Sequence, residues 1–262
     1  MALGVVGLLN VQFAIHAGSG LHVIEANPRA SRTVPFVSKA IGLPVAKLAC
    51  RLMLGTKLDE LELPDELANG HVCVKEAVLP FDRFAGTDAL LGPEMRSTGE
   101  VMGIARDFPT AFAKAQAAAG ARLPRSGTVF VSVADRDKSA ATAIATQIHD
   151  MGFKLLATSG TAKALARMGI PARQVNKLSE GSPHVVEAIG RGEVDLVINT
   201  PVGTGARSDG YEIRAAAVAH RIPCITTMSG AIAAIRAIAA ATHGEPDVIS
   251  LQELYAQPRT GL

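Results

Sequence analysis

The chain has 262 residues, enough for one or two domains with sizeable hydrophobic cores. Hydrophobic residues make up 48% and charged residues 19%, which excludes intrinsic disorder. Lys and Arg (26) nearly balance Asp and Glu (24) and there is no tryptophan, so neither a basic surface nor a stacking platform indicates nucleic acid. The three widely spaced cysteines fit neither a disulfide framework nor a zinc site, and a reducing cytoplasm is therefore the expected location.

The opening segment, residues 1–14, is apolar and uncharged, as the core of a signal peptide would be. It lacks the basic start of a signal peptide and continues directly into an extended pattern, which favours a strand. No later segment has about 18 uninterrupted apolar residues, so we expect no contact with a membrane.

The first half of the chain predicts a hairpin followed by helices and a further strand. A cluster of turn residues at 17–20 separates two extended segments, and Pro28 ends the second. The expected elements are strands at 5–15 and 21–26, a helix at 38–55, an acidic helical turn within 57–70, a strand at 72–80, a loop-rich stretch to about residue 99, and a helix at 109–121.

From residue 128 onward, short apolar segments alternate with amphipathic ones. The expected strands are at 128–133, 154–157, 194–199 and 223–226, and the expected helices at 138–151, 161–168, 209–221 and 229–242. This alternation predicts a parallel sheet with helices on both faces. Residues 123–127 are typical of a linker, so we predict domains at 1–124 and 125–262.

Three oxygen-bearing side chains converge on the predicted hairpin. If the hairpin closes around its turn, His16 faces Leu21, and a constant register then places Gln12 opposite Glu25. Asn27 lies two residues beyond Glu25 and therefore shares its face. Carboxylate and amide oxygens suit Mg²⁺, which in proteins commonly bridges nucleotide phosphates. A solvated polar stripe on a hairpin is the simpler alternative that spacing alone leaves open.

Two arginines, Arg29 and Arg32, come directly after the hairpin. Guanidinium groups at this place would pair with phosphate or carboxylate oxygens.

A second candidate site lies at the carboxyl ends of the later strands, where ligands bind in open parallel sheets. The segment from Thr158 to Thr161 joins a strand to a helix, and its small residues, hydroxyls and backbone N–H groups favour a phosphate. Ordinary helix capping by Ser and Thr is the alternative. Ser132 and Lys138 flank the end of the first strand of this half and the start of the next helix, and we expect Lys177 and Asn199 to follow later strand ends.

Residues 10–14, 24–39, 74–81 and 91–100 resemble the second ATP-grasp domain of the carbamoyl phosphate synthetase large subunit. The resemblance implies that residues 1–124 are the carboxyl-terminal, α+β piece of an ATP-grasp domain. It implies Mg²⁺ or Mn²⁺ of bound ATP at Gln12, Glu25 and Asn27, and phosphates near Arg29 and Arg32 as catalytic residues. It also implies that Glu76 helps to bind ornithine as an activator.

Residues 125–262 resemble the methylglyoxal synthase-like regulatory domain of the same subunit, a Rossmann-type α/β fold. This resemblance implies a site for UMP or IMP at Ser132, Lys138, Thr158, Thr161, Lys177 and Asn199, and an ornithine site near Thr226. Pro201 stands where some relatives carry a hydroxyl toward the ligand, and proline cannot donate a hydrogen bond. The identity of the effector is therefore left open.

The resemblance implies a piece of an ATP-dependent ligase that makes carbamoyl phosphate for arginine and pyrimidine synthesis. The expected partners are the remainder of the large subunit and a glutaminase small subunit, in an oligomer. We expect the isolated chain to be catalytically incompetent, because half of the ATP site would be missing.

Three alternatives remain beside this reading. The first is a stand-alone nucleotide sensor without catalysis. Methylglyoxal synthase itself is disfavoured because residues 178–184 lack the Gly-Gly-Asp sequence expected of that lyase. IMP cyclohydrolase shares a Ser-Gly-Thr loop, but the ATP-grasp resemblance argues against it.

Overall fold

The computed structural model describes residues 3–64, 70–79, 89–90, 99–201, 209–242, 244 and 248–256. The chain forms two compact units, Met1–His71 with Asp247–Leu262, and Val72–Pro246. The predicted linker at 123–127 lies inside the second unit. The predicted domain boundary near residue 125 therefore stays a prediction, because residues on both sides of it belong to the same compact unit.

The first unit begins with an antiparallel hairpin of β1 (Asn10–His16) and β2 (Gly20–Asn27). Gln12 lies opposite Glu25, as predicted, but His16 lies opposite Gly20, and the predicted pairing with Leu21 is wrong. The register shifts by one residue between Gln12 and Phe13. A β-bulge absorbs the extra residue, so the turn can be tighter than predicted while Gln12 keeps its partner.

The single helix predicted over 38–55 is instead two helices, α1 (Thr33–Ile41) and α2 (Val45–Met53). Gly42 takes a left-handed conformation with φ of 71° and ends α1. Pro44 immediately precedes α2 and disfavours helical geometry at the residue before it. The unit also contains a 3₁₀ turn at Leu58–Glu60 and a short helix at Leu251–Ala256.

Within the described ranges, no single helix has the length and apolar composition needed to cross a bilayer. Only α1 and α2 taken together meet those limits, by length and composition alone, and the chain bends by 109° between them.

The second unit begins with an antiparallel pair, β3 (Val72–Val78) and β4 (Gly99–Ala105), against which α3 (Phe108–Ala118) packs. The prediction of a loop-rich stretch ending near residue 99 left β4 out. Asp107 caps α3 by accepting a hydrogen bond from the Thr110 N–H at 2.9 Å. The helix approaches β4 closely at Gly103, because glycine has no side chain there. The backbone of Ala111 and Ala115, both fully buried, occupies the place that a side chain would take.

A five-stranded parallel sheet forms the centre of the second unit, as predicted, in the order β7-β6-β5-β8-β9. The strands are β5 (Thr128–Ser132), β6 (Lys154–Thr158), β7 (Arg173–Val175), β8 (Leu196–Asn199) and β9 (Cys224–Ile225). The helices are α4 (Lys138–Asp150), α5 (Ser159–Arg167), α6 (Val185–Gly190), α7 (Asp209–Ala219) and α8 (Met228–Ala241). The prediction omitted β7 and α6, which are too short to show a period.

The central strands β5, β6 and β8 are buried on both faces over most of their length, which explains why they are mostly apolar. Alternate residues of β5 enter different cores: Val129 and Val131 pack with α4, α5 and α8, whereas Phe130 packs with α6 and α7. Helices therefore cover both faces, as the sequence pattern predicts.

Replacing Gly103 by alanine should destabilise the second unit by about 3 kcal/mol, because the new Cβ would overlap the carbonyl oxygen of Ala111. Urea denaturation followed by circular dichroism measures the change. Gly99→Ala is a matched control in the same strand, since among the described residues a Cβ there meets Val78 alone, at 3.8 Å or more. Equal stabilities of the two variants would contradict the tight packing of α3 on β4.

Candidate functional site

The site is built at the carboxyl edge of the five-stranded sheet, where the strand order changes direction between β5 and β8. Such a switch point is where open α/β sheets bind ligands. Ser132 ends β5 and lies next to Asn199, which ends β8. The Asn199 Nδ2 donates to the Ser132 carbonyl oxygen at 3.1 Å, and Arg214 Nη1 donates to Asn199 Oδ1 at 2.9 Å. The two strand ends are thus joined by a buried polar bridge.

Three threonines hold the chain that leaves β5. The Val133 N–H donates to Thr161 Oγ1 at 3.4 Å, and the Ala134 N–H donates to Thr200 Oγ1 at 2.9 Å. The Thr158 hydroxyl is hydrogen-bonded to the hydroxyl of Ser132 at 3.1 Å. All three threonines are less than 5% exposed, so they form the frame of this edge.

The charged groups at this edge of the sheet include two lysines, Lys138 and Lys177, and the carboxylate of Asp135. The Lys138 Nζ, at the start of α4, pairs with Asp135 Oδ1 at 2.6 Å. The same Nζ lies 3.3 Å from the point where a Cβ on Gly160 would be, so it lies against the first turn of α5. The hydrogen bond from Lys138, its charge and the charge of Lys177 hold the pKa of the Asp135 carboxyl below its usual range. Lys177, two residues after β7, is close enough for its charge to act on the same carboxyl.

The structure brings together the six residues predicted for this site, in the sense that all lie at one edge of the sheet. Ser132, Thr158 and Asn199 each end a strand, Thr161 lies in the first turn of α5, Lys138 begins α4, and Lys177 comes two residues after the end of β7. The sequence analysis did not identify Thr200, Arg214 or Asp135 as part of this site; Asp135 begins an exposed 3₁₀ turn. The strand-end rule would have found Thr200, which follows Asn199 directly, but no signal in the sequence marks Arg214 as buried.

The hairpin places its polar groups on one face. Asn27 Nδ2 donates to Glu25 Oε1 at 2.9 Å, and Gln12 lies across from Glu25 in the register. Arg29 donates to the Ala30 carbonyl at 3.0 Å. Arg32 is exposed at the start of α1.

The hairpin offers one carboxylate and two amides. In the part of the chain that is described, no group of three or more His, Cys, Asp or Glu side chains is arranged to hold a metal ion. The oxygen donors of the hairpin fit a hard divalent cation in kind, but they supply only one full negative charge. Phosphate oxygens would have to complete such a site.

The two residues predicted for an ornithine-type effector lie on different elements of the second unit. Glu76, in β3, is half-buried, and this burial raises the pKa of its carboxyl. Hydrogen bonds with the Gln116 side chain and the Ala77 backbone lower the pKa, but by less than burial raises it. Thr226 follows β9 directly and is separated from α8 by Thr227, which caps that helix. Helix α3 packs against both β3 and α8, so it connects the two elements.

Comparison with known proteins gives two domain matches. The family described as carbamoyl-phosphate synthase L chain, ATP binding domain, matches residues 1–61, and the MGS-like domain family matches residues 140–226. The carbamoyl phosphate synthase large chain of Rubrobacter xylanophilus is 56% identical over 98% of this chain and 24% of its own length. That of a Nostoc species is 53% identical over 96% of this chain and 23% of its own length.

By sequence, the chain is similar to one part of the carbamoyl phosphate synthase large chains. It spans about a quarter of the length of the curated relatives it matches. Among solved structures, methylglyoxal synthase from Elizabethkingia anophelis NUHP1 aligns at 20% identity with a TM-score of 0.36, covering 44% of this chain and 79% of that one. A likeness of that size supports no argument about this chain.

Asn199→Ala should destabilise the second unit by about 1–3 kcal/mol, because it removes the acceptor of Arg214 Nη1 and the donor to the Ser132 carbonyl in a buried place. Urea denaturation measures the loss. Asn176→Ala is the control, since its amide makes one exposed hydrogen bond, to the Gly181 carbonyl at 3.2 Å. If Asn199→Ala lowered the free energy of unfolding no more than Asn176→Ala does, the bridge between β5 and β8 would not stabilise the fold.

Proposed function

We propose that this chain is the part of a carbamoyl phosphate synthase large chain whose MGS-like domain binds a phosphate-bearing nucleotide as a regulator. The ATP-binding segment at residues 1–61 contributes to the site of ATP-dependent phosphorylation. The sequence relationship to the large chains and the two domain matches support this assignment.

One observation carries the regulatory part of the proposal: the Lys138 ammonium lies against the amino-terminal turn of α5. That end of a helix has a partial positive charge, so a cation beside it is not stabilised by the helix dipole. A phosphate placed there is stabilised by the ammonium and by the backbone N–H groups together. Thr158 leaves those N–H groups available, because its side chain makes no capping hydrogen bond.

A nucleoside monophosphate, UMP or IMP, fits this site. Its phosphate carries a charge of roughly −1.5 to −2 at neutral pH. Lys138 and Lys177 supply two positive charges, which Asp135 reduces to a net charge of one. Ligand binding would favour one conformational state of the large chain and so change its activity.

An ornithine-type effector fits the environment of Glu76. A half-buried carboxylate with a raised pKa gains from a cationic partner, which an amino group of the ligand would supply.

Calorimetric titration of the chain with UMP, and with IMP in parallel, tests the regulatory proposal. We expect saturable binding that Lys138→Met weakens at least about tenfold, because a charge-assisted hydrogen bond is lost. Lys163→Met removes the same charge from an exposed position on α5 and should leave the affinity within about twofold.

Equal losses in the two lysine variants would contradict a phosphate site at Lys138. Thr161→Ala serves as a third variant, and circular dichroism verifies that each variant is folded.

For the hairpin we propose a role in holding the metal ion and phosphates of ATP. Gln12, Glu25 and Asn27 would supply oxygen ligands to Mg²⁺ or Mn²⁺, and Arg29 and Arg32 would neutralise phosphate charge. When bound, the metal ion would reduce the repulsion between phosphate oxygens, and the hairpin residues would position it. The shared face of the three ligands supports this role.

The other face of the hairpin is apolar and exposed: Phe13 is 53% exposed, Val23 63% and Ile15 85%. We propose that the remainder of the large chain covers this face, since the relatives are about four times longer. A glutaminase small subunit, an oligomeric assembly and a cytoplasmic location complete the proposal.

In the complete large chain, Glu25→Gln should reduce carbamoyl phosphate formation at least about a hundredfold, because the one carboxylate of the hairpin set would lose its charge. Glu62→Gln, at an exposed position, should leave the rate nearly unchanged. The assay measures carbamoyl phosphate formed from ammonia, bicarbonate and ATP. Near-normal turnover of Glu25→Gln would exclude the metal-binding role and favour a regulator without a catalytic hairpin.

A further inference from the structure

The site for the phosphate already contains an anion, the carboxylate of Asp135. Asp135 begins a 3₁₀ turn, Asp135–Asp137, that connects β5 to α4. Lys138 follows three residues later, and this spacing brings the carboxylate to 2.6 Å from the ammonium. The ammonium that faces the first turn of α5 is therefore also the one that Asp135 holds.

The carboxylate lies on the solvent side of the lysine. The Asp135 side chain is 93% exposed, whereas that of Lys138 is 30% exposed. An exposed ion pair of this kind is weak, because water screens it and two side chains lose freedom in forming it. A ligand with more charge and more acceptor atoms can therefore displace the carboxylate.

The other charged groups nearby do not duplicate this arrangement. Asp137 is 20% exposed and pairs with Arg136 at 3.8 Å. Glu180 accepts a hydrogen bond from the Lys177 backbone N–H at 2.9 Å. The hydrogen bond from Lys138 and its charge, with a smaller contribution from the charge of Lys177, hold the pKa of the Asp135 carboxyl below its usual range, so the carboxyl is charged at neutral pH.

We propose that Asp135 is an internal competitor for the phosphate site, whose carboxylate occupies Lys138 until a dianionic phosphate displaces it. The inference rests on the proposed function, since it presupposes that a phosphate binds there. It assigns Asp135 a role in setting affinity: displacing the carboxylate offsets part of the free energy that a phosphate dianion gains from Lys138 and Lys177.

Calorimetric titration with UMP at pH 8, above the second phosphate pKa of about 6, tests the proposal. Asp135→Asn should tighten UMP binding about three- to tenfold, because it removes both the competitor and a nearby like charge. Asp135→Glu keeps the charge and should remain within about twofold of the unmodified chain. Asp137→Asn is the matched control in the same turn and should also change the affinity less than about twofold.

A second ligand separates charge preference from general affinity. Uridine 5′-methyl phosphate carries one negative charge, and we expect a smaller gain from Asp135→Asn for this monoanion than for UMP.

The outcomes distinguish the two proposals. Binding of UMP to the unmodified chain, with no gain or a loss in Asp135→Asn, would overturn the role of Asp135 and leave the phosphate site in place. An equal gain in UMP affinity in Asp137→Asn would show that the gain comes from the change in net charge alone. That result would also overturn the role of Asp135. Absence of UMP binding in every variant, Asp135→Asn included, would overturn the proposed site and this inference with it.

Discussion

The polar bridge between the ends of β5 and β8 is the constraint on which the carboxyl edge of the sheet depends. Asn199 uses both ends of its amide, accepting from Arg214 and donating to the Ser132 carbonyl. Breaking one of these bonds would leave a buried polar group without a hydrogen-bond partner. That loss destabilises the fold by more than the intact bond stabilises it, so the arrangement resists change. The threonines then fix residues 133 and 134, which lead directly to Asp135 and Lys138. The position of the lysine against α5 is thus a consequence of buried hydrogen bonds below it.

The candidate site could be located from the sequence because its location follows from topology. Alternating strands and helices predict a parallel sheet, and a parallel sheet gathers its strand ends at one edge. Lys177 was placed at that edge although the short strand β7 was not predicted. The hydrogen bonds within the site could not be predicted in this way, because they depend on side-chain contacts between residues far apart in the chain. Arg214, buried on α7, is the clearest example.

The first unit shows where local rules fail. The pairing of Gln12 with Glu25 was predicted correctly from a wrong turn register, because a bulge compensates for the tighter turn. The apolar spacing over 38–55 suggested one helix, although Gly42 and Pro44 carry the signals for a break. Periodicity reports which residues face a core, and two successive helices can show nearly continuous periodicity. Helix-ending signals should therefore outweigh an unbroken apolar pattern.

The end of β8 separates recognition of a phosphate from recognition of the rest of a ligand. Thr200 uses its hydroxyl to accept the Ala134 N–H, and Pro201 has no N–H to donate. A nucleotide bound as proposed would therefore gain little from these two residues and would rely on the lysines and the first turn of α5, which contact only its phosphate. Changes at residue 201 can then alter which nucleotide is preferred without altering the phosphate site, whereas a change at residue 200 would also release the Ala134 N–H that Thr200 holds. Affinity for the phosphate would depend on the lysines and on the Asp135 carboxylate, which competes for Lys138.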